Sequence, residues 1–151
     1  MRNCFILIIL IFSLLFSCET ENAFENMYSG YVVSMGTVCG WCAGNDSLMI
    51  TDKNIHYEFN YPCNDNDYSV DTLTNITEWN ELMDLFDMKK FQSITINTCY
   101  VCADGCDTWV SVKNDTSSHR ISFGFKDTAE ISGIKPFINK LNSIRAKYRK
   151  N

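Results

Sequence analysis

Residues 47–61 read SLMITDKNIHYEFNY. Ile55, Tyr57, Phe59 and Tyr61 alternate with His56, Glu58 and Asn60, and that period of two marks a half-buried strand. Leu48-Met49-Ile50 precedes it across Thr51-Asp52-Lys53-Asn54, so the two runs predict a hairpin. A hairpin with one apolar face is not stable alone. It needs more strands beside it and a cover above it, and the rest of the chain must supply both.

Outward from this hairpin, Tyr31–Met35 reads as a strand before it, and Asn64–Asn75 (NDNDYSVDTLTN) as a polar loop after it. A helix follows. Asn75 caps it with Glu78 three positions on, and Ile76, Trp79, Met83 and Phe86 form its apolar face with Leu82 beside them. Ser93–Asn97 is strand-like through Ile94 and Ile96. Thr108, Val110 and Val112 alternate with Trp109, Ser111 and Lys113. Ile121, Phe123 and Phe125 alternate with Ser122 and Gly124, and the turn-rich NDTSS at 114–118 joins these last two runs. The chain closes with a helix capped by Ser132, with Pro136 tolerated in its first turn and Ile134, Phe137, Ile138, Leu141 and Ile144 in one stripe. Strands, helix, strands, helix predict an α+β fold, an antiparallel sheet of about five to seven strands with two helices packed on one face.

The chain begins with Arg2 and an apolar run from Phe5 to Phe16, broken only by Ser13. That length suits a signal peptide and is too short to span a bilayer. The run ends Leu15-Phe16-Ser17-Cys18, which resembles the lipobox of bacterial lipoprotein precursors; Phe16 departs from the small or aliphatic residue usual there. In that family the cysteine is acylated and becomes the mature N-terminus. The resemblance implies a signal peptide at 1–17 and a lipidated Cys18 and says nothing of the domain; the polar composition that follows reads as a flexible tether over 18–27, and the length and periodicities of the rest as a single α+β domain at 28–151. The acidic stretch Glu19–Asn26 is similar to the surface-export signal of Bacteroidota lipoproteins. The implied location is the cell envelope, anchored in the membrane by the N-terminal lipid, with the domain facing the periplasm or the cell surface. An ordinary secretory signal cut after Ser17 is the plainer alternative.

The formal net charge is −5, and losing Arg2 with the signal takes it to −6. An acidic domain without a basic stripe argues against nucleic acid as a partner. The one basic cluster, Arg145–Lys150, falls where the last helix ends and complements its dipole.

Six cysteines follow Cys18: Cys39, Cys42, Cys63, Cys99, Cys102 and Cys106. An even number in an exported chain is a disulfide framework by default. The hairpin turn near Asp52–Asn54 sets Cys63 roughly opposite Cys42, so Cys42–Cys63 is the expected pair. Asp104-Gly105 is the dipeptide of a type I′ hairpin turn. A regular turn there pairs Ala103 with Cys106, sends Cys102 and Cys106 to opposite faces and leaves Cys99 too far away to bond. An irregular turn closes Cys99 or Cys102 on Cys106. At least one bridge from this segment to Cys39 or Cys42 is expected, clamping the two halves. Two alternatives use the same residues. Cys39, Cys42, Cys99 and Cys102 match the ligand set of a zinc ribbon, though Cys63 and Cys106 are then left over in an oxidising compartment. Cys39 and Cys42 alone, in CGWC, match a thiol–disulfide exchange pair, though no helix start follows them.

No zinc-protease helix, nucleophile elbow or glycine-rich phosphate loop is present. His56 and His119 read as surface residues on strands. Asp65, Asp67, Ser69 and Asp71 are spaced as in some calcium loops, but Val70 and Ile76 stand where an EF-hand needs Gly and Glu, so a solvated loop is expected. Trp41 and Trp109 flank the cysteine segments and are expected to pack in the core. No catalytic residue, metal or cofactor is assigned. The expectation is a non-enzymatic binding or scaffolding domain for an envelope protein or a small ligand.

Overall fold

The computed structural model describes residues 28–126 and 129–150. The signal run, Cys18 and the tether fall outside these residues. Six strands form one antiparallel sheet: β1 (Val32–Cys39), β2 (Asn45–Ile50), β3 (Asn54–Asn60), β4 (Tyr68–Leu73), β5 (Cys106–Lys113) and β6 (Ser118–Phe123). Their order across the sheet is β4-β3-β2-β1-β5-β6. Among the described residues three helices accompany it: α1 (Ile76–Asp84), the short α2 (Met88–Ser93) and α3 (Lys135–Ala146). The predicted α+β layer architecture, braced by disulfides, is the observed one.

Register explains which face is covered. Val33 lies opposite both Ile50 and Val112, and Met35 opposite both Leu48 and Val110. Tyr57 faces Leu48 across β2–β3, and Ile121 faces Val110 across β5–β6. All of these are buried, so one row of apolar side chains runs across the sheet. The alternate positions carry Ser34, Ser47, Ser111 and Ser122 together with His56, Glu58, Asp71 and Arg120, and they form the uncovered face. Trp79, Leu82 and Met83 of α1 and Phe137, Ile138, Leu141 and Ile144 of α3 complete the core. Each such side chain stabilises the fold by about 1.5–3 kcal/mol on full burial. Phe86 joins the helices, with ring centroids 5.0 Å from Phe137 and 5.8 Å from Phe91.

α3 is also held by a buried ion pair. Arg145 Nη1 lies 3.3 Å from Asp46 Oδ1 and donates to Thr37 Oγ1 at 2.9 Å. Asp46 further accepts the Thr37 N–H at 3.0 Å and the Tyr57 hydroxyl at 3.3 Å. Burial, with the neighbouring Tyr68 and Asp46, pushes the Tyr57 hydroxyl well above the ordinary phenol range. The other cations of the basic cluster are engaged as well. Lys147 pairs with Glu78, Arg149 lies over the Phe59 ring and Lys150 over the Tyr68 ring.

Several local expectations are corrected. Tyr68–Leu73 is a strand, not part of a loop. It is an edge strand whose residues are mostly exposed, so its sequence is as polar as a loop's. Ser93–Asn97 is not a strand of the sheet. Met88–Ser93 is helical, with Asp87 capping it through the Lys90 N–H, and the next residues run beside β6 with a single parallel bridge, Asn97 to Ser122. Asn75 does cap α1, accepting the Glu78 N–H at 3.1 Å, but Ile76 lies exposed. Ser132 does not cap α3. It begins a 3₁₀ turn, Ser132–Ile134, and α3 starts at Lys135 with no side-chain cap.

Candidate functional site

The far end of β1 carries the cross-links. Cys39 and Cys106 face each other in register across β1–β5, with Cα atoms 4.1 Å apart, and are bonded. Cys42 in the β1–β2 loop bonds Cys63 beyond β3. Cys99 bonds Cys102. The expected Cys42–Cys63 pair and the expected bridge from the 98–109 segment to Cys39 are both present. Cys39 and Cys42 do not bond each other, so CGWC is not a closed exchange pair. All four sulfurs of the zinc alternative are engaged in disulfides, which leaves no thiolate there to hold a metal.

The third pair was not anticipated, because the hairpin expected at Asp104-Gly105 does not form. Tyr100–Ala103 is a 3₁₀ turn, and Asp104 ends it in the left-handed region at φ 59°. The Gly105 N–H returns to the Tyr100 carbonyl at 2.8 Å. In a strand, residues three apart point to opposite faces. In a 3₁₀ turn they eclipse, which brings the Cα atoms of Cys99 and Cys102 to 5.3 Å.

Asp107 holds this turn. Its buried carboxylate accepts the Val101 N–H at 2.8 Å and the Thr98 hydroxyl at 2.7 Å. Burial alone would raise its pKa, but these bonds and the Tyr100 N–H outweigh burial and hold it below the ordinary carboxylate value. The CGWC loop lies against the same turn. The Gly40 N–H donates to Gly105 O at 2.9 Å, and a Cβ on Gly40 would come within 2.9 Å of Asp104 Cα.

The three bonds differ in what they hold. Their sequence separations are 67, 21 and 3 for Cys39–Cys106, Cys42–Cys63 and Cys99–Cys102. In the chain-entropy treatment these correspond to about 4.4, about 3.4 and about 2 kcal/mol. The first ties the β1–β4 half to the β5–β6 half. The last spans one turn.

Beside Cys106 a groove of about 440 Å³ opens between the end of the sheet and α3. Thr108, Phe123, Ile131 and Ile138 form its wall, Phe125 stands at its mouth, and Lys135 lies on its rim. Phe125 is 96% exposed, and Trp41 on the CGWC loop is 77% exposed at φ 55°. The groove is mainly apolar with hydrogen-bonding groups at its edge, which is the composition of a small-ligand or side-chain pocket.

Other sequence candidates disperse. His56 sits on the uncovered face, Nδ1 2.8 Å from Asp71 Oδ1. His119 faces the helices instead of solvent, its Nε2 2.8 Å from the Ile94 carbonyl and its ring edge-on to Phe91. Asp67 accepts from Asn60 and from the Tyr61 N–H, and no group of three or more metal-ligating side chains forms among the described residues. Neither tryptophan flanking the cysteines is in the core. Trp109 lies on the uncovered face, over Gly36 and under Arg120, whose guanidinium is 4.3 Å from the ring centroid. Of the groove residues, Phe123 and Phe125 read from sequence only as strand positions, and Ile131 stands in no periodic run. Their one visible signal is Phe125, an aromatic continuing the alternation of β6 past its last residue. No protein-family model and no curated protein matches the chain.

Proposed function

We propose that the chain is an exported lipoprotein, anchored at Cys18, whose disulfide-braced domain binds a ligand or an envelope partner at the end where its cross-links lie. The observation that carries this is the cysteine usage. Every cysteine after Cys18 is in a disulfide, which fits an oxidising compartment and leaves Cys18 for another chemistry. The lipobox-like Leu15-Phe16-Ser17-Cys18 supplies that chemistry. The anchor would enter near Tyr28, whose hydroxyl bonds Asp84 at the α1 end. β1 then runs eight residues away to Cys39, so the groove, Phe125 and Trp41 lie at the far end of β1 from Tyr28.

Detergent phase partition tests the anchor. Mature wild-type protein is expected in the detergent phase and Cys18→Ala in the aqueous phase. A water-soluble wild type, or a lipidated Cys18→Ala, would overturn the lipoprotein reading. A photo-crosslinking residue at position 125 tests the surface, with position 49 on the opposite face as control. Adducts in the native envelope at 125 and not at 49 support the binding end, and equal labelling refutes it.

A further inference from the structure

We propose that Cys99–Cys102 is an exchange-competent disulfide, distinct from the two structural ones, that accepts electrons from a dithiol of another envelope protein. The proposal needs an oxidising compartment. It needs neither the lipid anchor nor the groove.

The turn that carries the bond does not need it. Asp107 fixes the turn through Val101 and Thr98, the Gly105 N–H closes it on Tyr100 O, and the Cys102 N–H bonds Cys99 O at 3.1 Å. Gly40 secures it from outside through Gly105 O. Linkage makes the consequence general. A disulfide that stabilises the fold is stabilised by the fold and resists reduction, and one that adds little to the fold gains little protection from it. Cys39–Cys106 and Cys42–Cys63 are of the first kind, because each joins segments that are distant in sequence. Cys99–Cys102 is of the second kind. Both its residues are exposed, as are Cys42 and Cys63, so it is the short span and the independently held turn that set this bond apart. After reduction the hydrogen-bonded turn keeps the two thiols near each other, ready to close again.

The exchange balances with a dithiol as co-reactant. One thiolate of the partner attacks a sulfur of the Cys99–Cys102 bond. That bond breaks, a mixed disulfide forms, and the other cysteine leaves as a thiolate and takes a proton. The partner's second thiolate then attacks its own sulfur in the mixed disulfide and expels the remaining cysteine, which is protonated in turn. Two electrons and two protons have passed to Cys99 and Cys102, and the partner leaves as a disulfide. In the oxidised domain neither Cys99 nor Cys102 carries a thiol, since each is bonded to the other. The attacking thiolate is therefore the partner's, and the domain acts as oxidant.

The oxidised protein should be equilibrated in graded buffers of reduced and oxidised dithiothreitol, alkylated and peptide-mapped, with circular dichroism on the same samples. Cys99 and Cys102 are expected to be alkylated together at a reduced-to-oxidised ratio roughly tenfold below that needed for Cys42 or Cys63, the factor for about 1.4 kcal/mol. The fold should be intact in that window. Reduction of all three bonds together with unfolding, or of Cys42–Cys63 first, would overturn the proposal. A C99S/C102S variant should keep the wild-type spectrum and lose the ability to oxidise a reduced dithiol peptide. Retained oxidation would equally refute it. Cys18→Ala should leave both results unchanged, which separates this test from that of the anchor.

Discussion

Asp46 and Arg145, ninety-nine positions apart, form a buried ion pair where the last helix crosses the first hairpin. Only 3% of the Asp46 side chain and 14% of the Arg145 side chain are exposed. Arg145→Met leaves the carboxylate with only the Thr37 N–H and the Tyr57 hydroxyl. Loss of one partner of such a pair costs about 3–5 kcal/mol. Urea midpoints should show a loss in that range for Arg145→Met and a smaller one for Arg145→Met with Asp46→Leu, where no charge is left unpaired. Equal losses in both would show that the pair is not desolvated.

Asp107 makes stability depend on pH in a defined direction. Its folded pKa is depressed, so its contribution is fully present above the unfolded carboxylate value of about 3.9. The contribution falls away as pH drops through the lower folded value. Denaturant midpoints taken between neutral pH and that acidic range should show a steeper acid loss in wild type than in Asp107→Asn. Parallel curves would remove Asp107 from this role.

Gly36 is the floor under Trp109. A Cβ there would lie 2.3 Å from the Asp46 carbonyl oxygen and 2.7 Å from the indole ring. Backbone cannot yield cheaply, so Gly36→Ala should lose about 1–3 kcal/mol, the usual cost of overpacking. Trp109 should also be displaced from its seat between Gly36 and Arg120. Urea midpoints check the first and tryptophan fluorescence of a Trp41→Phe background the second. An unchanged midpoint would mean that the two central strands separate freely.

The sequence by itself determined the sheet and its cover. Alternation at Ile55, Tyr57 and Phe59 and the stripe Phe137, Ile138, Leu141 and Ile144 are local periodicities, and a period of two or of 3.6 can satisfy one buried face only as strand or helix. The Asn75 cap and the Cys42–Cys63 pair were legible for the same reason, since each follows from geometry within a short span. Only the tertiary structure decided the rest. β4 is exposed on its outer edge, so Tyr68–Leu73 carries the polarity of a loop and becomes a strand because β3 offers it a hydrogen-bonding edge. Asp104-Gly105 suits a hairpin turn and the end of a helical turn equally. The choice between them was made by Asp107, whose carboxylate gathers the Val101 N–H and the Thr98 hydroxyl. That choice set Cys99 beside Cys102, and the groove at Phe123, Ile131 and Ile138 exists only where β6 and α3 meet. Hydrogen bonds and contacts between distant segments leave no periodicity in the chain, and so the site is settled by the fold.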